Sequence, residues 1–161
     1  MNYEIRGVRE GDLPYLAAHL RAADARELVA TYGNAGFLDA LNQSAVNSHE
    51  VAVCEGDGVP MVLWGLHRLN PTSGLIWCCA TPLVTKFRLA FVRESRAIIQ
   101  RWFDETPSLQ TLFNYSHTAN TLHHRWLRSC GATVLPEVPM GPFGEPFSPF
   151  VIRRNPCVTS A

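Results

Sequence analysis

The stretch LFNYSHTANTLHHRWLRSCGA, from Leu112 to Ala132, decides the fold of this 161-residue chain. Its first third reads as a β-strand, and the remainder carries apolar residues at helical spacing until Gly131 ends the pattern. Asn120 falls at the start of that helix, where asparagine is a favoured cap. The side chains predicted to pack on the sheet are Leu122, Trp126 and Leu127.

The same stretch holds three histidines, His117, His123 and His124, separated by six, seven and one positions. Helical zinc sites usually pair histidines at i and i+4 with an acidic or thiolate ligand nearby, and this spacing fits that pattern poorly. We therefore predict no metal site. His117, at the end of the strand, is the better candidate for a catalytic base, because an imidazole titrates near neutral pH. The alternative is a hydrogen bond that stabilises the turn.

Composition narrows the class of protein. The length suits one domain spanning residues 1–161, and 47% hydrophobic residues are enough to form its core. The 14 basic and 14 acidic residues balance, which argues against a nucleic-acid binder. The polar N-terminus and the lack of a long apolar run predict a cytoplasmic chain with no membrane span. Five cysteines without a C-x-x-C pair predict reduced thiols.

The front half combines a first strand, YEIRGV, with short helices. Asp12 is predicted to cap the first helix. Asp24 and Glu27 resemble a capping box that opens the helix ARELVATY, which Gly33 ends. A third short helix, GFLDALNQS, is predicted to follow.

The middle and end of the chain supply most of the sheet. Asp57-Gly58 predicts a tight hairpin turn, and GLIWCCAT (residues 74–81) predicts a buried strand that ends before Pro82. A helical pattern then runs to about Glu105. After the opening stretch we predict a strand over 133–138, a loop rich in proline and glycine, and a last strand over 147–153.

The resulting order predicts an α/β fold with a central mixed sheet flanked by helices. The long helix joins strands near 76–81 and 111–116, and a connection of that length suits parallel neighbours.

This order resembles the GNAT fold, that of the Gcn5-related N-acetyltransferases. Asn120, Trp126, Leu127, Gly131 and Ala132 match the helix that follows the fifth strand of that family. The opening stretch and GEPFSPFVI also resemble a bacteriophage branch of the fold, which includes the internal virion protein A of short-tailed coliphages.

The resemblance implies a cleft for acetyl-CoA between the two parallel strands. GNAT enzymes cradle the coenzyme's pyrophosphate in a glycine-rich loop, whereas this chain has ATPLVTKF (residues 80–87). We therefore predict weak binding of acetyl-CoA. The residues expected to contact the cofactor are Thr81, Thr85, Lys86 and Arg88 at the phosphates, and Asn120 at the pantetheine arm.

The resemblance also implies a tyrosine that protonates the leaving thiolate, but Leu127 occupies that position. Tyr115, one strand earlier, is the substitute candidate beside His117. These departures favour a non-catalytic phage protein that serves in virion assembly or binds a host protein, present in the virion or the host cytoplasm, with a protein partner and possible oligomerisation. The alternative is an acetyl-CoA-dependent N-acyltransferase that acts on a protein or a small amine.

Overall fold

The structure, a computed structural model, describes residues 1–155. The strands are β1 (Tyr3–Arg6), β2 (Glu50–Gly56), β3 (Val59–Asn70), β4 (Ser73–Ala80), β5 (Thr111–His117), β6 (Thr133–Val134), β7 (Val138–Met140) and β8 (Glu145–Arg153). The helices are α1 (Asp12–Ala18), α2 (Ala22–Tyr32), α3 (Phe37–Asn47), α4 (Arg88–Glu105) and α5 (Thr121–Ser129). A 3-10 turn, Pro82–Thr85, connects β4 to α4.

These strands form one mixed sheet in the order β1-β2-β3-β4-β5-β8-β6, with β7 paired to β8. The predicted α/β fold with helices around a mixed sheet is confirmed. The two central strands, β4 and β5, are parallel, also as predicted, and every other pairing is antiparallel. Their pairing is short: Ser73–Leu75 pairs with Thr111–Phe113, and no further pairs follow. The carboxyl ends of β4 and β5 therefore separate, as expected.

Helices cover both faces of the sheet because its strands alternate inward and outward residues. On one face, Trp64 and Ile76 pack with Trp102 of α4 and Leu127 of α5. On the other face, Leu63 and neighbouring apolar residues pack against α1, α2 and α3. None of the helices in the described range is long and apolar enough to cross a membrane.

The hairpin turn was predicted correctly, but one strand and one helix cap differ from the prediction. Asp57 and Gly58 have φ values of 52° and 81°, as a tight hairpin turn requires. The predicted strand over 133–138 is instead two short strands, β6 and β7, because Pro136 and the residues beside it leave the ladder. Asp12 is not a helix cap; Gly11 holds that position, and the Asp12 carboxylate pairs with Arg6 at 2.7 Å.

Helix α5 ends as predicted but faces the sheet differently. Gly131 has a φ of 90°, and the N–H of Ala132 donates to the carbonyl of Leu127, which closes the helix with a left-handed turn. Leu127 is fully buried and Trp126 is partly buried against the core. Leu122 is 52% exposed, so the prediction that it packs on the sheet was wrong.

This orientation predicts unequal effects for two leucines of the same helix. Leu127→Ala removes a fully buried side chain and is expected to lower the free energy of unfolding by about 3 kcal/mol. Leu122→Ala, the matched control, is expected to change it by less than about 0.5 kcal/mol, since half of that side chain already meets solvent. Urea unfolding of both variants measures the difference, and equal losses would contradict the orientation of α5.

Candidate active site

The opening between β4 and β5 begins at Asn114. The side-chain amide of Asn114 donates to the carbonyl of Ile76 at 2.8 Å, and its oxygen accepts from the N–H of Tyr115 at 2.7 Å. This side chain replaces the next backbone pair of the ladder, so the strands separate without leaving the Ile76 carbonyl unpaired.

Beyond that point the free edge of β4 meets the start of α2. The N–H of Ala80 donates to the Asp24 carboxylate at 2.9 Å, and the carbonyl of Ala80 accepts from the N–H of Arg21 at 2.8 Å. Backbone groups of a strand point alternately to either side. The N–H and carbonyl of Cys78, two residues earlier, therefore face the opening.

A groove of about 340 Å³ leads to the opening on the side of α4 and α5. Its walls come from the end of β4, the 3-10 turn, the start of α4 and the outer face of α5. Three arginines are among the residues that line it: Arg21, Arg88 and Arg125. Arg21 already pairs with Asp24 at 2.7 Å. The groove is apolar along most of its length and carries positive charge, which suits a ligand with an apolar arm and an anionic group.

The first turn of α4 adds further donors to this groove. Phe87 is its N-cap residue and makes no side-chain cap, and the first helical bond runs from Phe91 N–H to the Phe87 carbonyl. The N–H groups of residues 88–90 consequently have no helical acceptor. Together with the Arg88 side chain they form a place where an anion is stabilised.

The predicted phosphate-binding residues divide into two groups. Thr85 and Arg88 line the groove. The Lys86 ammonium instead pairs with the Asp57 carboxylate at 2.8 Å, and Lys86 does not line the groove. The Thr81 hydroxyl is buried without a partner among residues 1–155. Arg21 and Arg125 were missed as binding candidates because their distances from Arg88 in sequence hide their proximity.

Glu27 of α2 lies on the opposite side of the opening. Its carboxylate accepts from the Asn120 amide at 3.0 Å, from the Ser116 hydroxyl at 3.4 Å and from the backbone N–H of His117. Burial, helped by the neighbouring Asp24 charge, raises the pKa of this carboxyl group to about 7. Glu27 is only partly buried, so a substrate can reach a carboxylate that gains and loses a proton near neutral pH.

The prediction that Asp24 and Glu27 form a capping box was wrong. Helix α2 begins at Ala22, so both acids lie inside it. Their spacing of three residues puts them on one face, and that face is turned toward the opening. Two acids at this spacing on a helix were the sequence signal for a site, but the same pattern is typical of a helix start.

Asn120 occupies the N-cap position of α5, yet its side chain makes no cap. The amide donates instead to Asp24 at 3.3 Å and to Glu27 at 3.0 Å. Its carbonyl oxygen is buried without a partner among the described residues. A buried acceptor of this kind is costly unless something donates to it, so Asn120 stays a candidate for contact with a bound molecule.

The positions of His117 and Tyr115 do not suit the roles of base and acid predicted for them. The ring of His117 is buried and engaged at both nitrogens, with Nε2 at 2.9 Å from Glu145 and Nδ1 accepting from the Ala119 N–H at 3.1 Å. These bonds favour the structural alternative for His117. Tyr115 is 38% exposed, and its position, three residues after buried Leu112, puts it on the α2 side of the sheet rather than in the groove.

Two further histidines near the site, His123 and His124, are buried, as is the thiol of Cys79, and Cys78 is partly buried. Desolvation lowers the pKa of His123 to about 4 and also lowers that of His124, so both rings are neutral at pH 7. Within residues 1–155 no three His, Cys, Asp or Glu side chains are grouped to hold a metal. Burial raises the pKa of the Cys78 and Cys79 thiols well above the usual value, which disfavours a thiolate nucleophile. Cys157 lies outside the described residues.

The turn between β7 and β8 closes the α2 side of the site. Gly141 has a φ of 72°, and a Cβ at this position would lie 2.0 Å from the carbonyl oxygen of Ala30. Only glycine allows this backbone to approach α2 so closely. The turn is thereby fixed against α2 a few residues beyond Glu27.

No protein-family model and no curated protein matches the sequence. The structure, in contrast, aligns with solved structures of other proteins. AAC(6')-Ib in complex with ribostamycin and coenzyme A aligns with a TM-score of 0.70 at 16% identity, over 96% of this chain and 94% of that one. Spermidine N-acetyltransferase from Vibrio cholerae, in complex with CoA and spermine, aligns with a TM-score of 0.63 at 16% identity, over 94% and 95%. An uncharacterized protein from Bacillus halodurans gives 0.65 at 18%, over 94% and 83%.

These alignments extend over nearly the whole described chain, and they give no support to the expected likeness to a phage virion protein. At such low identity they establish architecture alone. The parallel pair β4 and β5, their separation and the long helix between them agree with that architecture. The chain has the GNAT fold.

Proposed function

We propose that this protein is an acyl-CoA-dependent N-acyltransferase that acts on a cationic amine. The observation that carries the proposal is the opening between β4 and β5, which has an arginine-lined groove on one side and Glu27 on the other. Two proteins of the same fold, AAC(6')-Ib and a spermidine acetyltransferase, have structures in complex with coenzyme A.

The groove supplies the binding groups for coenzyme A. Its diphosphate is expected at the start of α4, beside Arg88 and the N–H groups of the first turn, with Arg125 of α5 lining the same groove. Arginine side chains would then replace the backbone contacts that a glycine-rich loop provides in this fold. The pantetheine arm would run into the opening and pair with the edge of β4 at Cys78.

The residues of the opening would divide the steps of acyl transfer between them. Glu27 takes a proton from the ammonium group of the acceptor, which makes its nitrogen a nucleophile. The nitrogen attacks the thioester carbonyl, the C–N bond forms, and the C–S bond breaks with its electron pair leaving on sulfur. The second proton that the nitrogen must lose passes to the departed thiolate or to solvent. The backbone N–H of Cys78 is placed to stabilise the oxygen of the tetrahedral intermediate.

The leaving thiolate needs no dedicated acid of the usual kind. Leu127 occupies the position of the family's tyrosine and is buried in the core, so it contributes packing only. A free thiol has a pKa near 8.5, and a thiolate therefore departs readily at neutral pH. The carbonyl oxygen of Asn120, which has no partner among residues 1–155, is proposed to accept from an N–H of the pantetheine arm or of the acceptor.

The acceptor side favours a positive charge. Glu27 and Glu145 both contact His117, one through its backbone and the other through its ring. The nearby Arg21 is neutralised by Asp24. Two carboxylates without a free cation among these contacts attract an ammonium group, in keeping with the aminoglycoside and polyamine ligands of the two aligned complexes.

A second candidate function is a non-catalytic role in binding another protein, which the glycine-free loop and Leu127 favour. One experiment separates the two. Purified protein is titrated with acetyl-CoA by calorimetry and then assayed for release of free coenzyme A thiol with spermidine, an aminoglycoside and a lysine peptide. We expect binding and amine-dependent thiol release. Absence of both, in a protein that melts cooperatively, would reject the enzyme and leave the binding role.

A further inference from the structure

A second, apolar cavity adjoins the groove. It lies between the sheet and α4 and holds about 40 Å³. Four residues line both spaces: Cys78, Phe91, His123 and Trp126. The cavity therefore adjoins the inner wall of the groove, and these four side chains form the boundary between the two spaces.

The position of this cavity relates it to the reacting group. Ile76 and Cys78 of β4 line it on one side of the opening, and Phe150 of β8 lines it beyond β5. The cavity thus begins where β4 and β5 separate. A thioester whose pantetheine arm comes from the start of α4, and whose carbonyl lies at Cys78, has its acyl chain directed to this end.

The volume of the cavity limits the length of the acyl chain that it can hold. A water-sized group takes about 10–15 Å³ on this measure, so 40 Å³ accommodates roughly three carbon-sized groups. The lining consists mainly of aromatic and aliphatic side chains, among them Trp64, Ile98 and Trp102. Such a space favours an alkyl chain along most of its wall. Of the residues that line it, Tyr3, Trp64 and Trp126 each have a buried polar atom without a partner among residues 1–155.

From these observations we propose that the cavity is an acyl-chain pocket, and that the preferred donor carries an acyl group two to three carbons longer than acetyl. This rests on the proposed function and specifies its donor. In the transfer step Glu27 takes the first proton from the ammonium group, the C–N bond forms and the acyl C–S bond breaks with its electron pair on sulfur. The second proton of the nitrogen passes to the thiolate or to solvent. The cavity takes part only by holding the alkyl end.

Two substitutions fill the cavity from opposite walls. Ser95 lines it from α4 and Cys54 from β2. Ser95→Leu and Cys54→Leu each place additional carbon atoms in the space. An acyl chain that no longer fits is expected to lose roughly 10–200-fold in kcat/KM for each methylene that is excluded. Ser95→Ala is the matched control, because it leaves the cavity open.

The experiment compares kcat/KM and Kd for acetyl-CoA and butyryl-CoA in the parent and the three variants. We expect the parent and Ser95→Ala to favour butyryl-CoA by 10-fold or more, and both leucine variants to reverse or abolish this preference while acetyl-CoA still binds. If one leucine variant fails to fold, the other decides.

The outcomes also distinguish failure of the acyl-chain pocket from failure of the proposed acyltransferase function. Acetyl-CoA binding and turnover with no advantage for butyryl-CoA, or an advantage that both leucine variants retain, would overturn the acyl pocket and leave the acyltransferase standing. Binding of neither ester would reject the acyltransferase, and the acyl pocket with it.

Discussion

Glu27→Gln is expected to lower kcat for amine acylation by 10²–10³-fold while the Kd for acetyl-CoA stays within about 2-fold. The side chain contacts Asn120, Ser116 and the backbone of His117 on the α2 side of the opening, away from the arginine-lined groove. General-base catalysis contributes factors of this size. Glutamine keeps the shape and one hydrogen-bond acceptor but cannot take a proton.

The role of Glu27 can also be tested through the pH dependence of activity and of stability. With a pKa of about 7, Glu27 becomes a base as the pH rises through neutrality, so kcat/KM of the parent should increase with pH across that range. The effect on stability has the opposite sign. Since the folded pKa lies above the ordinary value of 4.5, the contribution of Glu27 to stability is present below about pH 4.5 and is lost as the pH rises through 7.

Glu27→Gln should therefore remove the rise in activity and flatten stability between pH 4.5 and 7. Asp39→Asn is the matched control, an acid on α3 that the site does not use. A Glu27→Gln variant that retains most of the parent's kcat and its pH profile would exclude Glu27 as the base. A loss of activity accompanied by a large loss of acetyl-CoA binding would indicate a structural role instead.

The fold could be predicted from the sequence because its signals are local. The turn at Asp57-Gly58, the helical spacing up to Glu105 and the end of α5 at Gly131 each depend on a few adjacent residues. Their order then left few topologies for a mixed sheet. Where two local signals competed, the prediction failed: Asp24 and Glu27 match a helix start equally well, and only contact with Ala80 and Asn120 across the opening distinguishes the two interpretations.

The site was harder to predict because it is assembled from distant segments. Arg21, Arg88 and Arg125 meet in one groove, although more than 30 residues separate each from the next. Lys86 was expected there from its position in the loop, but a turn of the backbone pairs it with Asp57. The position of a charged residue in sequence gives its element, whereas the direction of its side chain depends on the packing of several elements.

The double change Arg88→Ala, Arg125→Ala is expected to raise the Kd for acetyl-CoA by about 100-fold. Each arginine lines the groove from a different helix, and each charge-assisted contact with a phosphate contributes roughly 1.5–3 kcal/mol. Each single change should therefore raise the Kd about 10-fold. The loss should be smaller at high salt, because screening already weakens these contacts in the parent.

Two control variants make the calorimetric test specific to the groove. Lys86→Ala removes a cation that pairs with Asp57, and Arg93→Ala removes one on α4 whose side chain is 74% exposed and pairs with Glu94. Both are expected to leave the Kd within about 2-fold. A loss on Lys86→Ala as large as that on Arg88→Ala would place the phosphates over the 3-10 turn, as the sequence alone suggested. It would also mean that the Lys86–Asp57 pair opens when coenzyme A binds, because the ammonium group can reach a phosphate only by leaving that carboxylate.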